Sequence, residues 1–492
     1  MTSSSPSLAK RALLAVALMV GFYLLALGLV GLLIFIPYAE WTYGGRLHVQ
    51  LGAGCVVLAG MILWLIVPRV DRFAAPGPRL EASRHPQLFA ELSRIAQTVG
   101  QAMPAEVYLT AEANAWVSQR GGVMGLGSRR VMGLGLPLLQ LLTVSQLRAV
   151  LAHEFGHYHG GDTKLGPWIY QTRYTIARTI RGVGERSWLQ GIFVWYWNIF
   201  MQATRSISRQ QEFTADKLAA QKVGSQPLVT ALRSIHGADD AFAHFWRTEM
   251  APALKAGFCP PVAAGFACFM QAAPITETLA RNLEQEIEKS EANPYDTHPP
   301  LRDRIAAVQN FPPGREAVED PPAISLLSGV LDLERQLLAK LVGEEHLRGL
   351  RRVSWAEVGT QMYQPLWVSL AREHARALAG LTPQSFPELA GELEGFGRRL
   401  AKANGGTLSV DEAIDFTAAV VGAALAVSLI NQGWMVQAAP GDTISLRRGE
   451  EVLEPFDVLH RLAAGKLDPE VWRQRCQALG IAEINLGEVA GL

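Results

Sequence analysis

Two histidines four residues apart, with a glutamate beside the first, carry the plainest chemical meaning in this 492-residue sequence: His153, Glu154 and His157. Residues four apart share one face of a helix, so both imidazoles can reach a single zinc ion at about 2.0–2.1 Å. Glu154 then stands beside the ligands, placed to accept a proton from a water acidified by the metal. The surrounding LRAVLAHEFGHYHGGD, residues 147–162, predicts the helix itself. Thr143 and Gln146 read as a capping box at its start, and Gly160 and Gly161 read as its terminators. A catalytic zinc needs a third protein ligand and one open position. A histidine six residues beyond His157 would complete one known pattern, but that position is Thr163. The best source elsewhere is SRQQEFTAD, residues 208–216, where Glu212 and Asp216 lie four apart on a predicted helix. Glu212 would bind the metal, and Asp216 would accept a hydrogen bond from a ligand histidine and fix its tautomer. The plainer alternatives are surface histidines and a solvated acidic face. A structural zinc site is disfavoured, because such sites are usually closed by four ligands. His159 is six residues from His153 and points away from the site.

What must position these groups is a chain of unusual composition. Charged residues make up 18% and apolar residues 49%, against roughly 25% charged in soluble domains, which points to a membrane component. Lys plus Arg equals Asp plus Glu at 45 each, so no global field recruits nucleic acid. The four cysteines form no CxxC pair, which indicates neither a disulfide framework nor a thiolate metal site.

Residues 12–36 and 49–67 are uncharged, each near the roughly 20 residues that span a bilayer. A short loop, Pro37 to His48, joins them. Lys10 and Arg11 precede the pair, and Arg69, Arg72 and Arg79 follow it, so both outer flanks should be cytoplasmic. The expected location is therefore the plasma (inner) membrane, with the N-terminus and catalytic domain inside. Trp188–Met201 reads either as an interfacial helix or as a buried one. Phe416–Ile430, about 15 residues, reads as a core helix because it is short for a span.

The expected organisation is a transmembrane hairpin over residues 1–75, a zinc peptidase domain over 76–313 and a mainly helical region over 314–492. The fold class is mainly α with a small β-sheet, an α+β peptidase domain. Short strands are predicted at Val107–Thr110, Ala115–Ser118 and Arg130–Leu134, after a helix over Leu80–Gly100.

HEFGH followed by SRQQEFTAD resembles the HtpX / CAAX prenyl protease group of membrane zinc metallopeptidases. The resemblance covers roughly residues 80–310 and the hairpin. It implies that Glu212 is the third ligand of one Zn²⁺ and that Asp216 supports the site. Asn114, Ala115 and Trp116 are similar to the family's substrate-binding edge-strand segment. Thr297-His298-Pro299-Pro300, followed by Arg304, is similar to its THPP segment, implying His298 and Arg304 as donors to a developing oxyanion. Polypeptide substrates are then expected, paired to the edge strand through their main chain. Between the His and Glu motifs the family carries further spans, where this sequence offers only Trp188–Met201. The function so implied is endopeptidase action on membrane or membrane-proximal proteins. The alternative is a vestigial peptidase fold that recruits partners through its C-terminal region.

Overall fold

The apolar N-terminal residues form two long helices, α1 (Leu8–Gly44) and α2 (Val49–Ile66), both long and apolar enough to cross a membrane. The structure is a computed structural model and describes residues 8–44, 48–122, 127–158, 166–184, 187–289, 299–315, 318–403 and 406–488. The loop expected from Pro37 is helical instead, for α1 runs on through Pro37 to Gly44. Proline removes only one helical hydrogen bond, and Thr42 Oγ1 donates to Tyr38 O at 2.8 Å in the extended turn. Glu40 then accepts from His48 Nδ1 at 2.9 Å across the connection. One face of the hairpin is exposed and apolar, including Leu13, Leu24, Val57 and Trp64. A continuous apolar surface of this kind belongs against lipid or protein.

The chain folds into two compact units, each discontinuous in sequence: Met1–Asp239 with Ala280–Leu337, and Asp240–Leu279 with Leu338–Leu492. In the first unit, β1 (Arg79–Leu80) and the amphipathic α3 (Pro86–Val99) precede β2 (Glu106–Thr110), β3 (Ala115–Arg120) and β4 (Arg129–Gly135). The sheet order is β1-β2-β4-β3, with β2 and β4 parallel and the other pairs antiparallel. Strand β3 is therefore an edge. Trp116 pairs with Gly133 across the sheet, and a Cβ on Gly133 would lie 2.3 Å from the Trp116 ring. The indole thus covers the glycine, which fixes the register. The far end of β3 turns through Gly121 and Gly122, at φ 83° and 75°, a region L side chains avoid. There Asp71, just past the hairpin, accepts from Arg120 Nε at 2.9 Å and from the Gly121 N–H at 2.8 Å.

After α4 (Leu136–Leu141) come α5 (Val144–Gly156), α6 (Gly166–Gly182), α7 (Trp188–Lys222) and α8 (Ser225–Ile235). The Trp-rich segment is the first part of α7, a continuous 35-residue helix. Leu189, Phe193 and Phe200 are buried with Phe22, Ala59 and Ile62 of the hairpin, while Trp188 and Trp195 are exposed. So one face of the segment packs and the opposite face does not. Helix α6 joins the same cluster through Ile176, although Trp188–Met201 alone was expected in this interval. Its polarity in sequence comes partly from Thr172, Thr175 and Thr179, whose hydroxyls donate to the carbonyls of Trp168, Gln171 and Thr175 at 2.8, 2.8 and 2.9 Å. Satisfied in this way, they bury as apolar residues would. Arg178 donates to Leu65 O and Val67 O, closing the open carbonyls at the end of α2.

In the second unit, Val410–Asn431 is the central helix, started by a capping box between Ser409 and Glu412. It is long and apolar enough to cross a membrane, but most of it is buried within the structure. Trp367, Phe386 and Trp472 pack in the same cluster. A three-stranded antiparallel sheet of Met435–Gln437, Ser445–Arg448 and Glu451–Leu453 adds β structure to this mainly helical region.

Candidate metal centre

Helix α5 starts where its sequence predicts. Gln146 N–H donates to Thr143 Oγ1 at 3.3 Å, and Thr143 N–H donates to Gln146 Oε1 at 2.9 Å. Ser145 N–H reaches Asp320 Oδ1 at 2.8 Å and Val144 N–H reaches Pro321 O at 2.9 Å. All four open N–H donors at the helix start are therefore satisfied, which fixes the helix rotation. The α-helix ends at Gly156, ahead of the expected glycine terminators, and His157 is its C-cap with α-helical φ and ψ. Gly160 and Gly161 lie outside the described residues.

His153 and His157 turn their Nε2 atoms toward each other, 3.2 Å apart, with ring planes at 84°. Glu212, reaching in from α7, places Oε2 3.5 Å from His153 Nε2 and Oε1 3.6 Å from His157 Nε2. A tetrahedral ion with arms of about 2.0–2.1 Å would separate its ligand atoms by about 3.3–3.4 Å. The three donors sit close to that spacing, and His153 and Glu212 are buried. Glu154 also has a carboxylate oxygen within 4.8 Å of the imidazole donors. It is next to His153 in the chain, whereas Glu212 touches both ring nitrogens, so Glu212 suits the ligand position better.

The helices meet this closely because Gly156 faces Ala215. A Cβ at 156 would lie 3.1 Å from Ala215 Cα. Nothing in the motif spacing marked Gly156 as functional; the residue between Phe155 and His157 is legible only once α7 is known to pack there.

Asp216 is fully buried and lies behind the centre. Its Oδ1 is 2.9 Å from His153 Nδ1, leaving Nε2 to face the metal position. Arg304 was expected among the oxyanion donors. Instead its Nε donates to Asp216 Oδ2 at 2.8 Å and an Nη to Asp216 Oδ1 at 2.7 Å. The same Nη lies 3.5 Å from Glu212 Oε2. The guanidinium therefore grips the carboxylates behind the site. A solitary Arg after the THPP segment gives no hint of this partner. His298 lies outside the described residues.

Asn114, Ala115 and Trp116 lead into the edge strand β3. Asn114 Oδ1 accepts from the Ala115 N–H at 2.8 Å, and Asn114 O accepts from the Gly135 N–H at 2.8 Å. Further along, Tyr158 Oη, two residues past the end of α5, donates to Val117 O at 2.9 Å. The edge strand and the HExxH helix are thus stitched together at Val117. Tyr158, absent from the expected site, makes that link while Arg130 lies over its ring at 4.2 Å.

The electrostatics follow from burial and from these partners. Burial disfavours charge on His153, but hydrogen bonds to Asp216 and Glu212 outweigh it and lift its pKa to about 10. Burial, reinforced by the positive His153, pushes His157 down to about 4. Its lone pair is available across the neutral range. Burial and the Glu212 charge, opposed by His153 and Arg304, raise Glu154 to about 7, which suits a group that must take and return a proton near neutrality. Asp216 stays below the usual carboxylate range: burial opposes this, but bonds from Arg304 and His153 prevail.

A helix bearing HExxH is thus crossed by a helix bearing Glu212 and Asp216 and flanked by an edge strand, the arrangement that the sequence motifs led one to expect of an HExxH-plus-Glu site. Residues 82–311, somewhat under half of the chain, match the model for peptidase family M48, and the chain is similar over that stretch to proteins named Protease HtpX. Protease HtpX of Idiomarina loihiensis is 26% identical over 229 residues, covering 43% of this chain and 73% of the relative. Protease HtpX homolog 2 of Methanosarcina mazei is 27% identical over 199 residues, 37% and 62% of the two chains. A Protease HtpX homolog of Janthinobacterium is 25% identical over 321 residues, 61% and 86%. No solved structure matches the chain.

Proposed function

We propose that this protein is a membrane-anchored zinc-dependent endopeptidase acting on membrane or membrane-proximal polypeptides. The observation that carries the reading is the approach of the Glu212 carboxylate to both imidazoles, whose Nε2 atoms lie 3.2 Å apart, with Oε2 3.5 Å from His153 and Oε1 3.6 Å from His157. These residues would hold one Zn²⁺. When bound, zinc supplies Lewis acidity toward a carbonyl and lowers the pKa of water to about 7.

The chain's own groups do the rest. Glu154 takes the proton from the attacking water and returns it to the leaving amine. Asp216 keeps the proton of His153 on Nδ1 and so presents Nε2 as a ligand. Arg304 holds Asp216 and Glu212 in place and acts as a positioning residue. His298 is the oxyanion donor of this reading. The edge strand from Asn114 to Trp116 orients an extended substrate by main-chain hydrogen bonds, a mode that reads backbone more than side chains. The hairpin of residues 1–75 anchors a peptidase domain of residues 76–313 at the cytoplasmic face of the plasma membrane, and residues 314–492 serve as an accessory region.

The test is Glu154→Gln in the purified full chain, with casein as substrate. Cleavage should fall by about 10²–10⁴-fold while zinc content stays at the wild-type level. Undiminished cleavage would overturn the assignment. A wild-type protein that binds zinc and cleaves nothing would make the fold a vestigial scaffold.

A further inference from the structure

A cavity of about 650 Å³ opens in the first unit, away from the metal centre, where the N-terminal half of α5 meets the C-terminal end of α7. Four cations line it, Arg94, Arg148, Lys222 and Arg315, and no carboxylate does. Behind the wall, Glu91 accepts from Arg148 Nε and Nη at 2.8 Å each and pairs with Arg94 at 2.9 Å. One carboxylate therefore serves two guanidiniums. Asp320, the other nearby acid, caps α5 through the Ser145 N–H and also acts on Arg148, so two carboxylates stand against four cations. Lys222 and Arg315 are exposed, and neither forms an ion pair among the described residues. The cavity thus keeps a positive surplus.

The rim is held rigidly. Ser225 Oγ donates to Phe311 O at 2.9 Å, the Ser225 N–H to Pro312 O at 2.9 Å and the Gln226 N–H to Pro313 O at 3.2 Å. Gly224 and Gly314, at φ 128° and 96°, press together: a Cβ on Gly224 would lie 2.5 Å from Gly314 Cα, and one on Gly314 would lie 2.7 Å from Val223 O. Lys222 is two residues from this junction and Arg315 one, so their backbones are pinned on either side of the opening.

We propose that this cavity binds a phosphate-bearing anion. Four cations against two nearby carboxylates leave a positive surplus, and an oxyanion would offset it. Guanidinium forks match phosphate oxygens in pairs, and an ammonium adds a point charge. The volume falls in the range of small-ligand sites, about 300–1,000 Å³, so a phosphate fits together with an organic substituent. A soluble phosphate monoester and a phospholipid headgroup share this chemistry. The occupant bridges α5 and α7, the helices that bring His153, His157 and Glu212 together, and binding only to the folded chain stabilises that pairing.

The experiment uses the full chain in a zwitterionic detergent. Inorganic phosphate is titrated by calorimetry, and micelles doped with phosphatidylglycerol or phosphatidylcholine are compared by thermal unfolding. The wild type should bind phosphate, or be stabilised by phosphatidylglycerol over phosphatidylcholine. The first result identifies a soluble ligand and the second a lipid one. Lys222→Ala/Arg315→Ala should weaken the effective probe by about tenfold or more, and Lys222→Arg/Arg315→Lys should restore most of it. Both residues are exposed, and unchanged metal content would verify that the alanine variant is folded. If neither probe separates the wild type from the alanine variant, the proposal is overturned.

Discussion

Replacing Asp216 with asparagine keeps the shape behind the metal centre and removes its charge. The native carboxylate receives Arg304 at 2.8 and 2.7 Å and lies 2.9 Å from His153 Nδ1. In the variant one oxygen becomes an NH₂ group, so a donor must face a donor, and the buried guanidinium loses its counterion. Breaking a buried pair from one side costs about 3–5 kcal/mol. Loss of the partner of a metal-ligating histidine weakens metal affinity by about 10–100-fold. Arg304→Met strands Asp216 in the same way, so Asp216→Asn/Arg304→Met should cost less than the sum of the single changes, by about 0.5–3 kcal/mol. Urea unfolding of the detergent-solubilised chain measures the stabilities, and competition with a chromogenic chelator measures zinc affinity. Wild-type zinc affinity in Asp216→Asn, together with strict additivity in the double variant, would refute the coupling drawn among Asp216, Arg304 and His153.

Three further outcomes follow. Gly156→Val should push α5 from α7, because even a Cβ there meets Ala215 Cα at 3.1 Å; zinc affinity should fall by about tenfold or more, and an unaffected affinity would show that the helices can part without cost to the site. Hydrogen bonds from Arg148 hold the Glu91 carboxyl below its usual 4.5, so its contribution to stability is present above that pH and is lost as pH falls through the lower folded-state value. Glu91→Gln should therefore be less stable than wild type near neutrality, with the gap closing in acid below pH 4.5; melting curves with a constant gap would contradict this. Chelation should abolish casein cleavage and added zinc should restore it, as judged by product peptides; cleavage that survives full removal of metal would rule out the proposed chemistry.

The elements whose information is local were legible in the sequence. The capping box at Thr143, the strands around Val107, Ala115 and Arg130 and the one-turn spacing of His153 and His157 all lie within a few residues of their causes. The rest depends on partners distant in sequence. Thr172, Thr175 and Thr179 make α6 look polar, and only their back-bonding lets that helix join the hairpin. Arg304 reads as a free cation until Asp216 is placed against it. The segment Asp240–Leu279 folds with the C-terminal residues, an exchange between units for which no local pattern exists.

Under the proposed function, the unbroken course of α7 sets a scale for what can be cut. Among the described residues, Phe200 is the last of that helix in the hairpin's apolar cluster, and Glu212 stands twelve positions further along the same helix. At about 1.5 Å per residue this is a strut of about 18 Å. An extended polypeptide covers at most about 3.3–3.6 Å per residue. A chain leaving the level of Phe200 would therefore need about five or six residues to reach Glu212, and a shorter tail would fall short of it.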